Sequence, residues 1–186
     1  MGIVYEDILL RPVERRDIES IRLLRNDEST FMQLTDASLI TPAQQDAWFE
    51  ALGTAKDRAF FTVVQVERDG NFPVMSEGTF VGIVRLSAID KTNRSICIGA
   101  DVAPAMRGRG YGTKIYKALL RYLIEDLNFN RCWLLVLETN AVARRLYENI
   151  GFTVEGVQRA AIWRDGAWRD YVLMSILADE YRAGAR

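Results

Sequence analysis

Hydrophobic residues recur along the chain at two different spacings. Intervals of three and four residues predict helices at residues 17–24, 44–52 and 140–150, and a long one from Gly110 to about residue 128. Runs rich in β-branched and aromatic residues predict seven strands, at residues 8–13, 60–66, 80–89, 95–102, 132–137, 152–157 and 171–177. The two patterns together predict a mixed α/β (α+β) fold.

One predicted helix has an unusually complete start signal. Thr41 has the chemistry of an N-cap, Pro42 suits the first helical position, and Gln44 completes a capping box. Gln44, Trp48, Ala51 and Leu52 share one helical face, and Gly53 is expected to end the helix.

Turns separate the elements without a recognisable linker. Residues 69–73 and the Asp165-Gly166 pair predict two turns, the second joining the last two strands. No internal repeat or low-complexity run interrupts the pattern, so one domain spanning residues 1–186 is expected.

Composition and charge exclude several function classes. Of 186 residues, 49% are hydrophobic and 26% are charged, with a net charge of −1. Such a chain has no global basic field for nucleic acid, and a single short Arg-Gly repeat supports an RNA-binding role poorly. No nucleic-acid partner is expected, and any bound anion must be held by a local cluster.

The cellular setting is predicted from cysteines and apolar runs. Cys97 and Cys132 both lie in apolar stretches and are expected to be buried in a reducing compartment. No apolar run approaches the roughly 18 residues that span a membrane. Glu6 and Asp7 stand where a signal peptide would be apolar. We therefore expect a cytoplasmic protein with no membrane partner.

The chain contains no histidine. This excludes Ser-His and Cys-His nucleophilic systems and histidine metal sites, and no metal cofactor is expected. The chemistry must depend on carboxylates, tyrosine, lysine, backbone groups or a cofactor.

Residues 107–114, Arg-Gly-Arg-Gly-Tyr-Gly-Thr-Lys, are the most informative segment. A glycine-rich bend entering a helix directs several N–H groups at one point, aided by the helix dipole. It is not a Walker A loop, and a dinucleotide fingerprint would need glycine in place of Thr113. The segment predicts a pyrophosphate site, although a glycine-rich turn that only starts a helix has the same pattern.

A second segment favours the pyrophosphate site over a turn that only starts a helix. Arg107, Gly110 and Gly112 match the motif Arg/Gln-x-x-Gly-x-Gly/Ala. The motif Asn-x-x-Ala-x-x-Leu-Tyr-x-x-x-Gly-Phe is matched at every fixed position over residues 140–152. In this order and spacing the chain resembles the GNAT superfamily of N-acetyltransferases. The resemblance implies a mostly antiparallel sheet of about six to seven strands with about four helices, splayed between strand 95–102 and the strand at 131–138.

The resemblance also implies acetyl-CoA as co-substrate. The amides of residues 108–113 would surround the pyrophosphate as an anion nest, with Arg107, Arg109 and Lys114 neutralising it. Backbone groups of residues 98–102 would bind the pantetheine arm. The implied cofactor-binding residues are Ile98, Ala100, Val102, Arg107, Gly108, Arg109, Gly110, Tyr111, Gly112, Thr113, Asn140 and Tyr147.

For catalysis, the resemblance implies direct transfer to a primary amine, with Tyr147 as general acid to the departing thiolate. Tyr147 also lies on the apolar stripe of its helix, so a core role is the alternative. Some family members carry a glutamate about eleven residues before the loop, where this chain has Ser95, Ile96 and Cys97. Asp101 and Glu138 are the nearest candidate bases. The missing glutamate leaves a catalytically silent CoA-binding regulatory module as an alternative.

The acceptor is less constrained. The N-terminal helices look like the subgroup containing ribosomal-protein N-terminal, spermidine and nucleotide-amino-sugar acetyltransferases, so a protein N-terminus, an amino sugar or another small amine is expected. The arginines of the last loop suit an acidic acceptor better than a polycation, although a hairpin tip with solvated charges is the alternative. The loop carries Arg159, Trp163, Arg164, Trp168, Arg169 and Asp170. The assembly is expected to be a monomer or a homodimer.

Overall fold

The structure, a computed structural model, describes residues 2–34, 36, 38–66, 68–69, 72–73 and 78–184. Its strands are β1 (Ile3–Tyr5), β2 (Ile8–Pro12), β3 (Ala59–Gln65), β4 (Arg68–Asp69), β5 (Phe72–Pro73), β6 (Thr79–Asp90), β7 (Ser95–Val102), β8 (Arg131–Leu137), β9 (Thr153–Arg164) and β10 (Ala167–Leu177). Its α-helices are α1 (Ile18–Asn26), α2 (Glu28–Phe31), α3 (Pro42–Leu52), α4 (Tyr111–Leu120), α5 (Ala141–Ile150) and α6 (Ala178–Gly184). Short 3₁₀ turns cover Arg15–Asp17 and Pro104–Met106, and α4 continues into a π-helical segment, Arg121–Asp126.

Eight strands form one sheet in the order β1-β2-β3-β6-β7-β8-β10-β9, and β4 pairs with β5 separately. Every neighbouring pair in the large sheet is antiparallel except β7 with β8. The mixed, mostly antiparallel α/β architecture is thus confirmed. The sheet has eight strands where about six to seven were expected, and the described residues form six α-helices where about four were expected.

The sheet separates in its middle. β7 pairs with β8 only at Ser95, Ile96 and Cys97, whereas it stays paired with β6 as far as Val102. Residues 98–102 therefore have no strand on the β8 side. The predicted splay is confirmed, and it leaves an opening between β7 and β8.

Helices cover the two faces of the sheet. The main core contains Ile96 and Ile98 of β7 together with α4 residues such as Ile115 and Leu119. A smaller cluster on the opposite face joins Ile21 and Leu24 of α1 to Trp48, Phe60 and Ile83. Side chains alternate between the two faces along a strand. The opening between β7 and β8 therefore lies between the α4–α5 face and the α1–α3 face.

The last hairpin differs from its prediction. Residues 159–164 and 167–170 were expected in a loop, but they extend β9 and β10 up to a two-residue turn at Asp165 and Gly166. Both turn residues have positive φ, 50° and 71°, which matches the twist of a hairpin and lets the strands continue.

The α3 cap is confirmed, since Thr41 and Gln44 form a reciprocal capping box. The exposed Gln44 side chain accepts from the Thr41 amide (2.9 Å), whereas the neighbouring Gln45 is buried. Within the predicted turn at residues 69–73, positions 70 and 71 lie outside the described residues.

Candidate active site

The glycine-rich loop forms a sharp bend before α4. Gly108 and Gly110 have φ values of +74° and +79°, in the left-handed region that favours glycine. Gly112 is needed for a different reason. A Cβ at this position would lie 3.0 Å from Leu146 Cδ2, so its absence lets α4 and α5 approach closely.

Amide groups of this bend are available to a ligand. The first hydrogen bond of α4 runs from the Lys114 amide to the Gly110 carbonyl (3.2 Å), after the bend. Over the described chain, the amides of residues 108–113 donate to no protein acceptor. Such a run of N–H donors at the positive end of a ten-residue helix fits a pyrophosphate.

Two of the three predicted cations point elsewhere. The Arg107 guanidinium donates to the Val102 carbonyl (2.9 Å), to Ser29 Oγ (2.7 Å) and to Thr30 Oγ1 (2.6 Å). Lys114 pairs with Asp7 (2.6 Å) at the N-terminal hairpin. Arg109 is exposed, and its guanidinium reaches only the Met106 sulfur (4.0 Å) among the described residues.

The backbone of β7 faces the opening with alternate residues. The Ala103 amide donates to the Val81 carbonyl of the β6 side (2.8 Å). Alternation along an antiparallel ladder then directs the N–H and C=O groups of Ile98, Ala100 and Val102 toward the opening. The Val102 carbonyl is taken by Arg107, which leaves the groups of Ile98 and Ala100 for a ligand.

Asn140 lies at the start of α5. Its side-chain oxygen accepts from the Ala143 amide (3.1 Å), so one end of the side chain caps the helix. The amide NH₂ end is left over from this cap. Arg144 and Arg145 follow on the same helix, the first half-buried and the second exposed.

Tyr147 of α5 is buried and meets a second tyrosine. Tyr116 of α4 donates from its hydroxyl to the hydroxyl of Tyr147 (3.2 Å), and the two rings lie edge to face with centroids 5.0 Å apart. Burial raises the pKa of Tyr147 above the usual value, and it raises the pKa of Tyr116 well above it. Both hydroxyls are therefore protonated at neutral pH, and the Tyr147 proton is not used in the Tyr116 bond.

The side chain of the candidate base Asp101 lies on the face of β7 opposite to the side chains of Ile96 and Ile98. Its carboxylate forms an ion pair with Arg85 of β6, including a 3.4 Å contact from Arg85 Nη2. This pair is close enough to influence the tyrosines, because the Asp101 charge raises the pKa of Tyr147 and the Arg85 charge lowers it.

Glu138 follows the end of β8, beside the last hairpin. Its Oε1 accepts from the Asp170 amide (3.4 Å), and its own amide donates to the Asp170 carbonyl (3.1 Å). Both contacts attach the hairpin to β8. Both candidate carboxylates are thus partly occupied by structural contacts.

The site geometry agrees with a sequence family. The family described as Acetyltransferase (GNAT) domain matches residues 7–153. The chain belongs to the GNAT family of acetyltransferases. Enzymes of this family use acetyl-CoA as the acetyl donor, so this acetyltransferase is acetyl-CoA-dependent.

Curated relatives span nearly the whole acetyltransferase. The candidate ribosomal N-acetyltransferase YdaF of Bacillus subtilis (strain 168) is 27% identical over 180 residues, which cover 96% of this chain and 95% of that protein. The spermidine N(1)-acetyltransferase of Escherichia coli (strain K12) is 25% identical over 176 residues, covering 95% and 89%.

A solved structure supports the same fold. The crystal structure of spermidine N-acetyltransferase from Vibrio cholerae in complex with CoA and spermine has a TM-score of 0.85 to this GNAT chain at 23% identity. The match covers 95% of this chain and 98% of that one.

Two site residues of this acetyltransferase were missed by sequence reasoning. Tyr116 was hidden because its helical position, one residue after Ile115, looks like ordinary core. Arg85 was hidden because it interrupts an apolar strand, and a single charge in such a run has no recognisable pattern. That interruption was the only available signal, because a charge inside a buried strand needs a partner.

The described residues contain no group of three or more histidine, cysteine, aspartate or glutamate side chains that could hold a metal ion. No helix among them is both long and apolar enough to cross a membrane. Cys132 is fully buried, and burial raises the pKa of its thiol to about 12, so it is not a nucleophile at neutral pH.

Proposed function

We propose that this acetyltransferase moves the acetyl group directly from acetyl-CoA to a primary amine, with Tyr147 as general acid. The amine nitrogen bonds to the thioester carbonyl carbon, the carbon–sulfur bond breaks, and Tyr147 donates its proton to the leaving thiolate. The proton lost by the amine passes to a base. One domain over residues 1–186 would carry the whole reaction.

The tyrosine pair is the single observation that carries this proposal. A general acid must hold its proton until the leaving group needs it, and the raised pKa of Tyr147 meets that condition. The hydrogen bond from Tyr116 occupies a lone pair of the Tyr147 oxygen and leaves its proton free. Tyr147 is also on the same helix as Asn140, which we propose contacts the arm of CoA.

The donor is held by groups with unused hydrogen-bonding capacity. The amides of residues 108–113 would bind the pyrophosphate, with Arg109 as the nearby cation. Ile98 and Ala100 would bind the pantetheine arm through their backbone, and an amide facing the opening would stabilise the developing oxyanion. Of the other proposed donor-site residues, Arg107 bonds to the Val102 carbonyl at the end of β7, and Tyr111 is buried at the start of α4.

The proton acceptor is the least defined part of the mechanism. Asp101 and Glu138 remain our two candidates, each acting through water. Asp101 is favoured, because its charge influences Tyr147, whereas Glu138 is bonded to the hairpin backbone at Asp170.

The acceptor is a primary amine of a small molecule, an amino sugar or a protein N-terminus. The whole-chain similarity to YdaF and to the spermidine enzymes supports an amine acceptor but does not choose among these classes. We expect the enzyme to act as a monomer or a homodimer.

Replacing Tyr147 with Phe tests the proposal, because it removes the acidic proton and keeps the ring packing. Loss of a general acid costs about 100-fold or more in rate, so kcat for thiol release on the best amine of a panel should fall by that factor. The affinity for acetyl-CoA, measured by calorimetry, should change little. The matched control is Tyr122→Phe on the π-helical segment, which should leave kcat unchanged.

An unchanged kcat in the Tyr147→Phe variant would remove this residue from the mechanism. Tight acetyl-CoA binding with no turnover of any amine by the unmodified enzyme would contradict the whole proposal. That second result would favour a CoA-binding regulatory module instead.

A further inference from the structure

A cleft of about 200 Å³ opens on the α1–α3 face of the sheet. One wall is aromatic: Trp48 of α3 and Phe60 of β3 meet edge to face, with centroids 5.0 Å apart. The other end is polar and carries Arg25 of α1, Gln45 of α3 and Arg85 of β6. The cleft therefore combines an apolar surface with a cluster of N–H donors.

Two of these donors lack a partner. Gln45 is only 3% exposed, and its Nε2 is buried without a hydrogen bond. Arg25 Nε is buried without a hydrogen bond as well. Buried polar groups are normally satisfied, and an unsatisfied one beside a cleft points to a missing ligand or water.

The chemistry of the missing group follows from the donors. Guanidinium and amide NH₂ groups both donate, so the missing group must present hydrogen-bond acceptors, such as oxygen atoms. Burial lowers the pKa of Arg25, and the neighbouring positive charge of Arg85 lowers it further. An anionic group placed between these residues would relieve that repulsion, whereas a second cation would increase it.

The cleft leads to the proposed reaction centre through Arg85. The Arg85 guanidinium lies against Gly99, where a Cβ would be only 3.1 Å from its Nη2, and it pairs with Asp101. The same charge lowers the pKa of both Tyr116 and Tyr147. The inner end of the cleft therefore meets the opening between β7 and β8 from the face opposite α4 and α5.

We infer that this cleft binds the acceptor, and that the acceptor carries an anionic oxygen group, a carboxylate or a phosphate, on the same molecule as the reacting amine. The anionic group binds Arg25 and Gln45, and an apolar portion packs on Trp48 and Phe60. This inference rests on the proposed function. It excludes polyamines as the preferred substrates.

Two carboxylates near the cleft, Asp36 and Asp101, raise the pKa of Arg25, but burial and the charge of Arg85 outweigh them, so the net pKa of Arg25 is lowered. Asp36 is exposed at the mouth, and its carboxylate accepts from the Ser38 amide (2.9 Å). Deeper in the cleft, the charged side chains are Arg25 and Arg85. The other carboxylate near them, Asp101, is used by Arg85.

Matched amines test the inference. L-phenylalanine and 4-(aminomethyl)benzoate each carry a carboxylate. Their counterparts without the carboxylate are 2-phenylethylamine and 4-methylbenzylamine, respectively. Glucosamine 6-phosphate is compared with glucosamine, and spermidine represents the polyamines. We expect kcat/KM to be about 10- to 100-fold higher for at least one anionic member over its partner, as hydrogen bonds to charged groups provide. The carboxylate and phosphate pairs show which anion is preferred.

The Arg25→Met variant keeps the aliphatic stem and removes the donors. It should abolish the advantage of the anionic amine and leave its neutral counterpart, and the acetyl-CoA affinity, nearly unchanged. The control is Arg58→Met, which removes an exposed arginine paired with Asp57 and should preserve the preference. Gln45→Leu should reduce the preference in the same direction as Arg25→Met.

Equal losses for charged and neutral amines in Arg25→Met would overturn the inference, as would a higher kcat/KM for spermidine than for every anionic amine. If the enzyme acetylates no amine, the proposed function fails and the inference is still tested. The CoA-bound protein is then titrated with the same anionic amines by calorimetry. Binding that is lost in Arg25→Met supports the cleft assignment, and no binding overturns it.

Discussion

At the scale of single residues, the hydroxyl pair of Tyr116 and Tyr147 decides how protons are held. The Tyr116 proton points to the Tyr147 oxygen, so only Tyr147 has a proton to give. This bond also lowers the pKa of Tyr147 against the larger effect of burial, which raises it. Tyr116 thus makes Tyr147 a stronger acid than burial alone would allow.

Replacing Tyr116 with Phe should weaken Tyr147 as an acid without removing it. The pKa of Tyr147 rises when the bond is lost, so kcat should fall about 3- to 10-fold, less than in Tyr147→Phe. KM for acetyl-CoA should stay unchanged. Because the acid stays protonated until the pH reaches its pKa, any alkaline limb of the kcat profile should move to higher pH in the variant.

Tyr181→Phe is the matched control for this effect. It also removes a tyrosine hydrogen bond, to Glu125 (2.9 Å), but at α6, away from the site. Its pH profile should overlay that of the unmodified enzyme. A Tyr116→Phe profile that also overlays it would show that the pair has only a packing role.

Single residues also mark the limit of prediction from sequence. The bend of the loop could be predicted, because glycine at positive φ, as at Gly108 and Gly110, has no substitute of equal cost. The direction of Arg107 could not, because its partners Ser29 and Thr30 are more than 70 positions away in the chain. A guanidinium in a basic loop looks the same in sequence whether it binds phosphate or protein.

At the scale of elements, a buried carboxylate fixes the start of α1 to the sheet. Asp17 accepts two hydrogen bonds from Arg11 of β2, at 2.7 and 2.8 Å, and one from Thr62 of β3 at 2.9 Å. The Glu14 amide donates a fourth, at 2.8 Å. Burial raises the pKa of Asp17, but these hydrogen bonds outweigh it, so the net pKa is lowered.

An Asp17→Asn variant should therefore lose stability in a pH-dependent way. At pH 7 we expect a loss of about 2 to 4 kcal/mol in the free energy of unfolding, because Arg11 keeps a buried charge without its partner. A lowered folded-state pKa gives stability above the unfolded-state value of about 3.9, and this is lost as the pH falls through the folded-state value. Urea unfolding should show the difference narrowing below about pH 4.

The exposed ion pair of Arg15 with Asp46 provides the control. Its side chains are 59% and 53% exposed, and solvent screens such pairs strongly. Asp46→Asn should unfold close to the unmodified protein at every pH. An equally small effect of Asp17→Asn would mean that the buried network contributes little to the attachment of α1.

Elements were predicted best where local chemistry is complete. The capping box of α3 and the Gly151 C-cap of α5 each use neighbouring residues, and both formed as expected. β1 and the outer half of the β9–β10 hairpin were missed, because pairing with a neighbouring strand defines them rather than their own pattern. The inward turn of Gln45 was missed for a related reason, since a polar residue gives no burial signal.

At the scale of the whole molecule, the opening between β7 and β8 joins two different environments. The α4–α5 face offers free amides and the tyrosine pair, and the α1–α3 face offers the cleft with Arg25 and Arg85. A donor and an acceptor that enter from opposite faces meet without competing for the same surface. In the proposed mechanism, the sheet would thus keep the donor and the acceptor on separate faces until they meet in the opening between β7 and β8.

Variants of Arg107 and Arg109 test which arginine of the donor loop stabilises the fold and which one binds acetyl-CoA. Arg107 attaches the end of β7 to α2, so Arg107→Gln should lower the free energy of unfolding, by about 1 to 3 kcal/mol for the lost charged hydrogen bonds. Arg109 is exposed and forms no ion pair in the described chain, so Arg109→Gln should leave unfolding unchanged.

Affinity for acetyl-CoA should show the opposite order. Arg109→Gln should weaken binding about 3- to 10-fold in low salt, and the difference should shrink as salt screens the exposed charge. Calorimetry at two ionic strengths, with urea unfolding of the same samples, measures both properties. If Arg107→Gln instead weakened binding more than Arg109→Gln at unchanged stability, then the Arg107 side chain would have to leave Ser29 and Thr30 when the donor binds. Binding of acetyl-CoA would then detach α2 from the loop, because one edge of the Arg107 guanidinium cannot bond to Ser29 and Thr30 and to a phosphate at the same time.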